Sequence, residues 1–267
     1  MSGWSGIGVG MENDLTAIAS RTERHASKPR YRAEDLVYEA WEAAGPQRAV
    51  LAREALALWP DCADGYVLLA QAASSLEEAR ELLERGVAAG ERAVGRRVFV
   101  EDAGEFWLIF ETRPYMRARA ALAAVLWRLG RCEEAVEHQR VLLRLNPRDN
   151  QGLRYRQANW LLALESYDEL DQLFAAHAGD GHAPGFIYTR ALAAFARRGA
   201  GAQARALLAE ARERNPHIPA YLTGRKRLPR ERPAYTVFGE ESEAVDYAAG
   251  AGELWRSVPG ALAWLES

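Results

Sequence analysis

Cysteine, histidine and lysine are all scarce in this chain of 267 residues. Its two cysteines, Cys62 and Cys132, are too few for a disulfide framework or a four-thiolate zinc site. Five histidines leave little material for a histidine-rich metal centre. Lys28 and Lys226 are the only lysines among 34 basic residues, so arginine carries almost all of the positive charge. This composition predicts neither a cofactor nor a metal site.

Long apolar segments are missing as well. The longest apolar run has eight residues, 120–127, whereas a membrane helix needs about 18 or more. The first ten residues are rich in Gly and Ser and lack the basic start and apolar centre of a signal peptide. With free cysteines and no export signal, we expect a cytoplasmic protein that contacts no membrane.

The charge is nearly balanced overall but unevenly distributed. A formal net charge of −3 argues against a nucleic acid as the general partner. Residues 113–156 nevertheless contain ten arginines against four acids, and residues 65–112 contain nine acids against five bases. The chain therefore has a basic centre that follows an acidic segment.

Three landmarks recur along the chain at a single spacing. A glycine, an alanine and an Asn-Pro pair return 69 residues later, which is twice a period of about 34.5 residues. Glu165 and Leu170 fall at the corresponding positions of a middle copy. The two complete sets are Gly130, Ala135 and Asn146-Pro147, and Gly199, Ala204 and Asn215-Pro216.

This pattern resembles the tetratricopeptide repeat, a pair of helices followed by a break. Two looser copies precede the clear ones, at 33–60 and 63–91. A single repeat cannot bury its apolar face, so stacked copies supply the core. We predict an all-α, tetratricopeptide-like helical-repeat solenoid with an irregular insertion and a C-terminal helical cap; the alternative is a non-repeating helical bundle. The residues that match the motif are Leu122, Ala123, Leu126, Gly130, Ala135 and Pro147.

The predicted organisation has three parts. Residues 1–30 are polar and predicted to form a flexible leader. Residues 31–221 are predicted to form the helical array, with an irregular insertion at about 93–112 that is apolar enough to pack as a further helix. Residues 222–267 contain a short basic run and then acidic residues typical of a helix start, and we interpret them as the C-terminal cap.

Several phrases go beyond a generic repeat. They are Pro60-Asp61-Cys62-Ala63, Tyr66-Val67-Leu68-Leu69-Ala70, Asn215-Pro216-His217-Ile218-Pro219-Ala220-Tyr221-Leu222, Glu241-Ser242-Glu243-Ala244 with Tyr247, and Trp255 before Gly260-Ala261-Leu262. These phrases resemble the suppressor of tumorigenicity 7 family and its bacterial tetratricopeptide-containing relatives. The resemblance covers about 33–265 and implies a bacterial protein with this fold and this cap. It implies no catalytic residue.

Groups that could carry catalysis are thinly spread. His177 and His182 flank a Gly-rich turn, but their spacing of five is not a standard metal pair, and a polar loop explains them better. Glu-Glu pairs such as Glu133-Glu134 stand at helix starts, where they stabilise the helix dipole. We therefore predict no catalytic residue and no enzyme activity.

The first helices of a tetratricopeptide array line its concave groove, and here they carry arginine, asparagine and aromatic residues. Asparagine can hold an extended backbone, arginine can clamp a carboxylate, and aromatic rings supply apolar area. We predict a non-catalytic adaptor that binds a protein or peptide, either acidic or ending in a free C-terminal carboxylate, in a basic, aromatic-lined concave groove. The predicted partner-binding residues are Arg117, Trp127, Tyr155, Arg156, Asn159 and Arg190.

Two other classes of function stay open. One is an enzyme or enzyme subunit that uses the helical array to dock a peptide substrate. The other is an RNA-binding helical-repeat protein, suggested by the arginines of 113–156 and 225–232. Binding to RNA would weaken steeply with salt.

Overall fold

A computed structural model describes residues 28–180, 183–231, 233 and 235–267. Every regular element in these ranges is a helix, which confirms the all-α prediction. The predicted leader lies outside the described residues up to position 27, and the first described helix begins at Pro29. Within the described ranges, no helix is both long enough and apolar enough to span a membrane.

The described residues as far as Arg148 form one compact unit, unit 1. α1 packs on α2, α3 on α4, and α6 on α7, so short turns join neighbouring helices into pairs. α6 also packs on α3 and α4. The helices are α1 (Pro29–Glu42), α2 (Pro46–Leu58), α3 (Ala63–Gln71), α4 (Leu76–Val94), α5 (Arg96–Glu101), α6 (Arg113–Arg128) and α7 (Cys132–Leu145).

The irregular insertion consists of the short α5 and two 3₁₀ turns, Phe106–Leu108 and Phe110–Thr112. Phe99 lies with its ring centroid 5.0 Å from those of both Phe106 and Tyr115. The Thr112 hydroxyl donates a hydrogen bond to the Ile109 carbonyl at 2.8 Å. Phe99 and Phe106 therefore pack against Tyr115 of α6, whereas Leu108 and Phe110 of the same segment are exposed.

The residues from Asp149 onward form a second compact unit, unit 2. α8 pairs with α9 and α10 with α11, while α13 packs on α12 and also on α8 and α10. The helices are α8 (Leu153–Ala163), α9 (Tyr167–Ala176), α10 (Pro184–Arg198), α11 (Ala202–Arg214), α12 (Ile218–Leu222), α13 (Glu241–Ser257) and α14 (Ala261–Glu266). The boundaries of the predicted array, 31–221, and cap, 222–267, stay predictions.

The recurring landmarks occupy equivalent places in the helix pairs. Gly130 and Gly199 follow the first helix of their pairs with φ of 78° and 68°. Ala135 and Ala204 are fully buried in the second helix, where a small side chain lets the pair approach closely. Each second helix ends at an Asn-Pro, since proline cannot continue a helix. The structure thus confirms a helical repeat.

Candidate functional site

The six predicted partner-binding residues are divided between the two units. Arg117 and Trp127 lie on α6 in unit 1. Tyr155, Arg156 and Asn159 lie on α8 in unit 2, and Arg190 lies on α10. The surroundings of these residues are therefore described for each unit separately.

Arg117 is held by a buried carboxylate. Its Nε donates to Asp64 Oδ1 at 2.8 Å and its Nη2 to Asp64 Oδ2 at 2.5 Å. Asp64, on α3, is 4% exposed. Burial alone would lower the pKa of the Arg117 guanidinium, but the hydrogen bonds and charge of Asp64 outweigh this effect and raise that pKa. The pair therefore fixes a charged arginine at the contact between α3 and α6.

Two aromatic residues accompany Arg117, one within electrostatic range of it and one farther along α6. Tyr38, on α1, is 72% exposed, and its phenol lies within electrostatic range of the guanidinium. Trp127 is half-buried and follows Arg117 by ten residues, or about 15 Å along the helix. Ala120 and Ala124 fall between them on the same side of α6. We call the surface of Tyr38, Asp64, Arg117 and Trp127 the α1–α3–α6 face.

In unit 2, Asn159 belongs to a hydrogen-bonded chain that ends in α13. Its Oδ1 accepts a hydrogen bond from the Thr189 hydroxyl at 2.9 Å. Thr189 also lies 3.1 Å from the Tyr247 hydroxyl, which accepts a bond from the Trp255 indole at 3.0 Å. A Cβ on Gly185 would stand only 2.9 Å from the Tyr247 ring. The side of α8 that carries Asn159 and the side of α10 that carries Thr189 are thus packed against α13.

Tyr155 and Arg156 are both engaged with neighbours in unit 2. The Tyr155 ring meets Phe186 edge-on with centroids 5.6 Å apart. The Arg156 guanidinium lies 5.1 Å from the Trp160 ring centroid. Burial lowers the pKa of Arg156. These side chains help to hold α8 in place, and their predicted contact with a partner remains untested.

Arg190 lies on a different side of α10 from Thr189. Its guanidinium stands 5.6 Å from the ring centroid of Phe174, on α9. Both residues line a cleft of about 450 Å³ between α9, α10 and α11. Arg197 and Arg198 line the same cleft. The structure therefore groups Arg190 with arginines that the sequence did not single out.

The described part of the chain offers little nucleophilic or metal-binding chemistry. Burial raises the pKa of the Cys62 thiol to about 11 and also raises that of Cys132. Both thiols stay protonated near neutral pH, whereas the thiolate is the reactive form. No group of three or more His, Cys, Asp or Glu side chains in the described ranges is placed to hold a metal ion. His182 lies outside those ranges, so its distance from His177 is not described.

Several residues at these surfaces were not named as site residues from the sequence. Tyr38 lies in the first, loosest repeat, where the motif gave no secure alignment. Glu243 and Tyr247 stood in phrases that carried the family resemblance, but no role followed from it. Arg197 and Arg198 form a double arginine at the end of α10, outside the two segments whose charges were counted.

Helix pairs joined by short turns, with recurring glycine, alanine and Asn-Pro landmarks, define a helical-repeat protein of tetratricopeptide type. The family model described as ST7 protein matches residues 22–267. The chain therefore belongs to the ST7 protein family, which confirms the resemblance found in its sequence.

Curated relatives carry the description "suppressor of tumorigenicity 7 protein-like". The Bos taurus and Homo sapiens proteins are each 28% identical over 254 residues, or 86% of this chain. These residues make up 46% of the bovine and 44% of the human protein. The Gallus gallus protein is 29% identical over 251 residues, covering 85% of this chain and 45% of that protein. The chain thus spans less than half the length of these relatives.

Among solved structures, the chain is similar to YrrB, described as a TPR protein with an unusual peptide-binding site. The TM-score is 0.48 and the sequence identity 19%. The match covers 74% of this chain and 90% of that one.

Proposed function

We propose that this chain is a non-catalytic adaptor that holds a segment of a partner protein on the α1–α3–α6 face. The observation that carries the proposal is the guanidinium of Arg117, fixed by Asp64 on the face that also includes the exposed ring of Tyr38. Helical repeats of this type present the sides of stacked helices as extended binding surfaces. The raised pKa of the Cys62 and Cys132 thiols disfavours either cysteine as a nucleophile.

The geometry of Arg117 suits recognition of a peptide. Asp64 occupies Nε and Nη2, while within the described part of the chain Nη1 makes no hydrogen bond. Because the guanidinium is already oriented, little side-chain entropy is lost when Nη1 donates to a ligand. A carboxylate, from an acidic side chain or a chain terminus, is the strongest acceptor for such a donor.

Tyr38 and Trp127 would supply most of the contact area. Tyrosine and tryptophan offer large, rigid surfaces at low entropic cost, and for that reason they dominate the energetics of many interfaces. The alanines between Arg117 and Trp127 leave room for an extended backbone beside α6. The proposal also keeps the other predicted contacts, Tyr155, Arg156, Asn159 and Arg190.

Tyr38→Ala tests this function directly. The side chain is mostly exposed, so we expect the thermal midpoint to stay unchanged while partner recovery from native lysate, quantified by mass spectrometry, falls about tenfold or more. Leu58→Ala is the matched control, because Leu58 is also an exposed apolar residue but lies at the end of α2. Equal recovery by wild type and Tyr38→Ala would rule out the α1–α3–α6 face as the partner site.

A further inference from the structure

The cleft between α9, α10 and α11 has an unusual balance of charge. Three arginines line it, Arg190, Arg197 and Arg198, and among the described lining residues Asp171 is the only one with a carboxylate. Gln203 adds a neutral donor and acceptor. We call this site the α9–α11 cleft.

The arginines of the cleft differ in how they are paired. Arg197 Nη1 donates to both oxygens of Asp171, at 3.0 Å and 2.8 Å. Arg190 stands over the Phe174 ring, which orients the guanidinium without neutralising it. Within the described residues no carboxylate forms an ion pair with Arg190 or Arg198. The described residues of the α9–α11 cleft, with three arginines and one aspartate, therefore carry two net positive charges.

The size of the cleft limits what can enter it. A volume of about 450 Å³ falls in the range of sites that hold a small molecule or a few side chains. Phe174, Ala193 and Ala194 provide an apolar floor beside the charged groups. Such a site fits one or two acidic side chains with their aliphatic stems.

We propose that the α9–α11 cleft binds an acidic segment of a protein, with carboxylates seated between Arg190 and Arg198. This site is separate from the α1–α3–α6 face and does not depend on it. Arg190 was predicted to contact an acidic partner in the concave groove. In this proposal it contacts an acidic ligand on the side of α10 that faces α9. Carboxylates match the fork of the guanidinium and form charge-assisted hydrogen bonds with it.

An acidic protein segment is favoured over a nucleic acid by the shape of the positive charge. Nucleic-acid backbones are read by basic stripes that follow many phosphates. Here the positive site consists of three arginines on α10, and the whole chain carries a net charge of −3.

The test uses the full chain and a fluorescein-labelled hexaglutamate peptide, followed by fluorescence anisotropy at low salt. We expect wild type to bind hexaglutamate and to bind hexaglutamine much more weakly. Arg190→Gln and Arg198→Gln should each raise the dissociation constant at least about fivefold. Arg205→Gln is the matched control, because Arg205 is an exposed arginine of α11 that does not line the cleft. It should leave the dissociation constant unchanged within about twofold.

Asp171→Asn provides a variant that acts in the opposite direction. It removes the one negative charge of the cleft and frees Arg197, so hexaglutamate should bind more tightly. Arg198 is exposed at the end of α10, so its variant should keep the thermal midpoint of wild type. Equal binding of hexaglutamate and hexaglutamine, or equal losses in Arg198→Gln and Arg205→Gln, would overturn the proposal. Displacement of the peptide by a much lower concentration of a six-nucleotide RNA would assign the cleft to nucleic acid instead.

Discussion

Three turn residues show that a single backbone position recurs in each repeat. A positive φ follows the first helix in three pairs, at Gly130, at Gly199 and, with 54°, at Glu165. The middle copy was aligned by placing Glu165 at the glycine position. The positive φ is therefore kept even where glycine is absent, because the turn and not the side chain is what the repeat requires.

Replacing Glu165 by glycine should stabilise the protein. A left-handed conformation costs an L-residue about 1–2 kcal/mol, which the substitution removes. Glycine has more backbone freedom in the unfolded chain, and losing it on folding offsets about 0.5–1 kcal/mol of this gain. We expect a gain in the free energy of unfolding of about 0.5–1 kcal/mol, measured by urea denaturation. Ala209→Gly, at an exposed position inside α11, is the control and should lose about 1 kcal/mol. A loss of stability in Glu165→Gly would show that its side chain matters more than its backbone.

Individual site residues could be predicted less well than turn residues. Arg117 was assigned to a binding surface from its register in the repeat, but its partner Asp64 is 53 positions away in sequence. Residue type and local spacing carry no information about such a pairing. The same holds for Asn159, whose contact with Thr189 depends on the packing of α8 against α10.

At the scale of elements, α13 is fixed by one buried carboxylate. Glu243, 5% exposed, accepts hydrogen bonds from Asn215 Nδ2 at 2.9 Å and from the backbone of Gly185 at 3.1 Å and Gly239 at 2.8 Å. Asn215 is the residue at which α11 ends. The Asn-Pro landmark therefore ends a repeat and also anchors the following helix.

Glu243→Gln should loosen α13. A glutamine amide offers one acceptor oxygen where three donors converge, so a buried donor is left unsatisfied at a cost of about 1–3 kcal/mol. We expect faster amide hydrogen exchange across residues 241–257 and a lower thermal midpoint. Glu253→Gln is the matched control, since Glu253 lies on the same helix and is exposed. Unchanged exchange in Glu243→Gln would mean that the apolar contacts of Trp255 alone hold the helix.

The existence of most helices followed from the sequence, and their ends followed less closely. The predicted further helix of the insertion is the six-residue α5 with two 3₁₀ turns. Phe99, inside α5, and Phe106, on the first 3₁₀ turn, both pack against Tyr115. That arrangement results from side-chain packing, which the periodicity of the sequence does not reveal.

At the scale of the whole molecule, the described residues form two compact units. The core of unit 1 includes Leu68, and that of unit 2 includes Leu192, each with no exposed surface. In helical-repeat proteins, contacts are made mainly between neighbouring repeats, so stability is approximately a sum of local terms. A destabilising substitution in one core should therefore increase local unfolding mainly in the same unit.

Leu68→Ala tests this expectation. The lost burial and the cavity left behind should cost about 2–5 kcal/mol. We expect amide hydrogen exchange to rise more in residues 29–145 than in residues 153–266, as followed by mass spectrometry. Leu192→Ala provides the mirror experiment and should show the reverse order. An equal rise throughout both ranges in each variant would instead identify a single cooperative unit.

The sequence by itself determined the helical class, the repeat period, the turn positions and the family, because each depends on local pattern or on motifs along one dimension. Tertiary structure alone decided which arginines form an ion pair with a carboxylate and which do not. Arg117 is paired with a buried aspartate, while Arg190 is stacked on an aromatic ring beside Arg198. It also decided that α13 covers the side of α8 carrying Asn159. These outcomes depend on which helices meet in three dimensions, and that is set by the packing of distant residues.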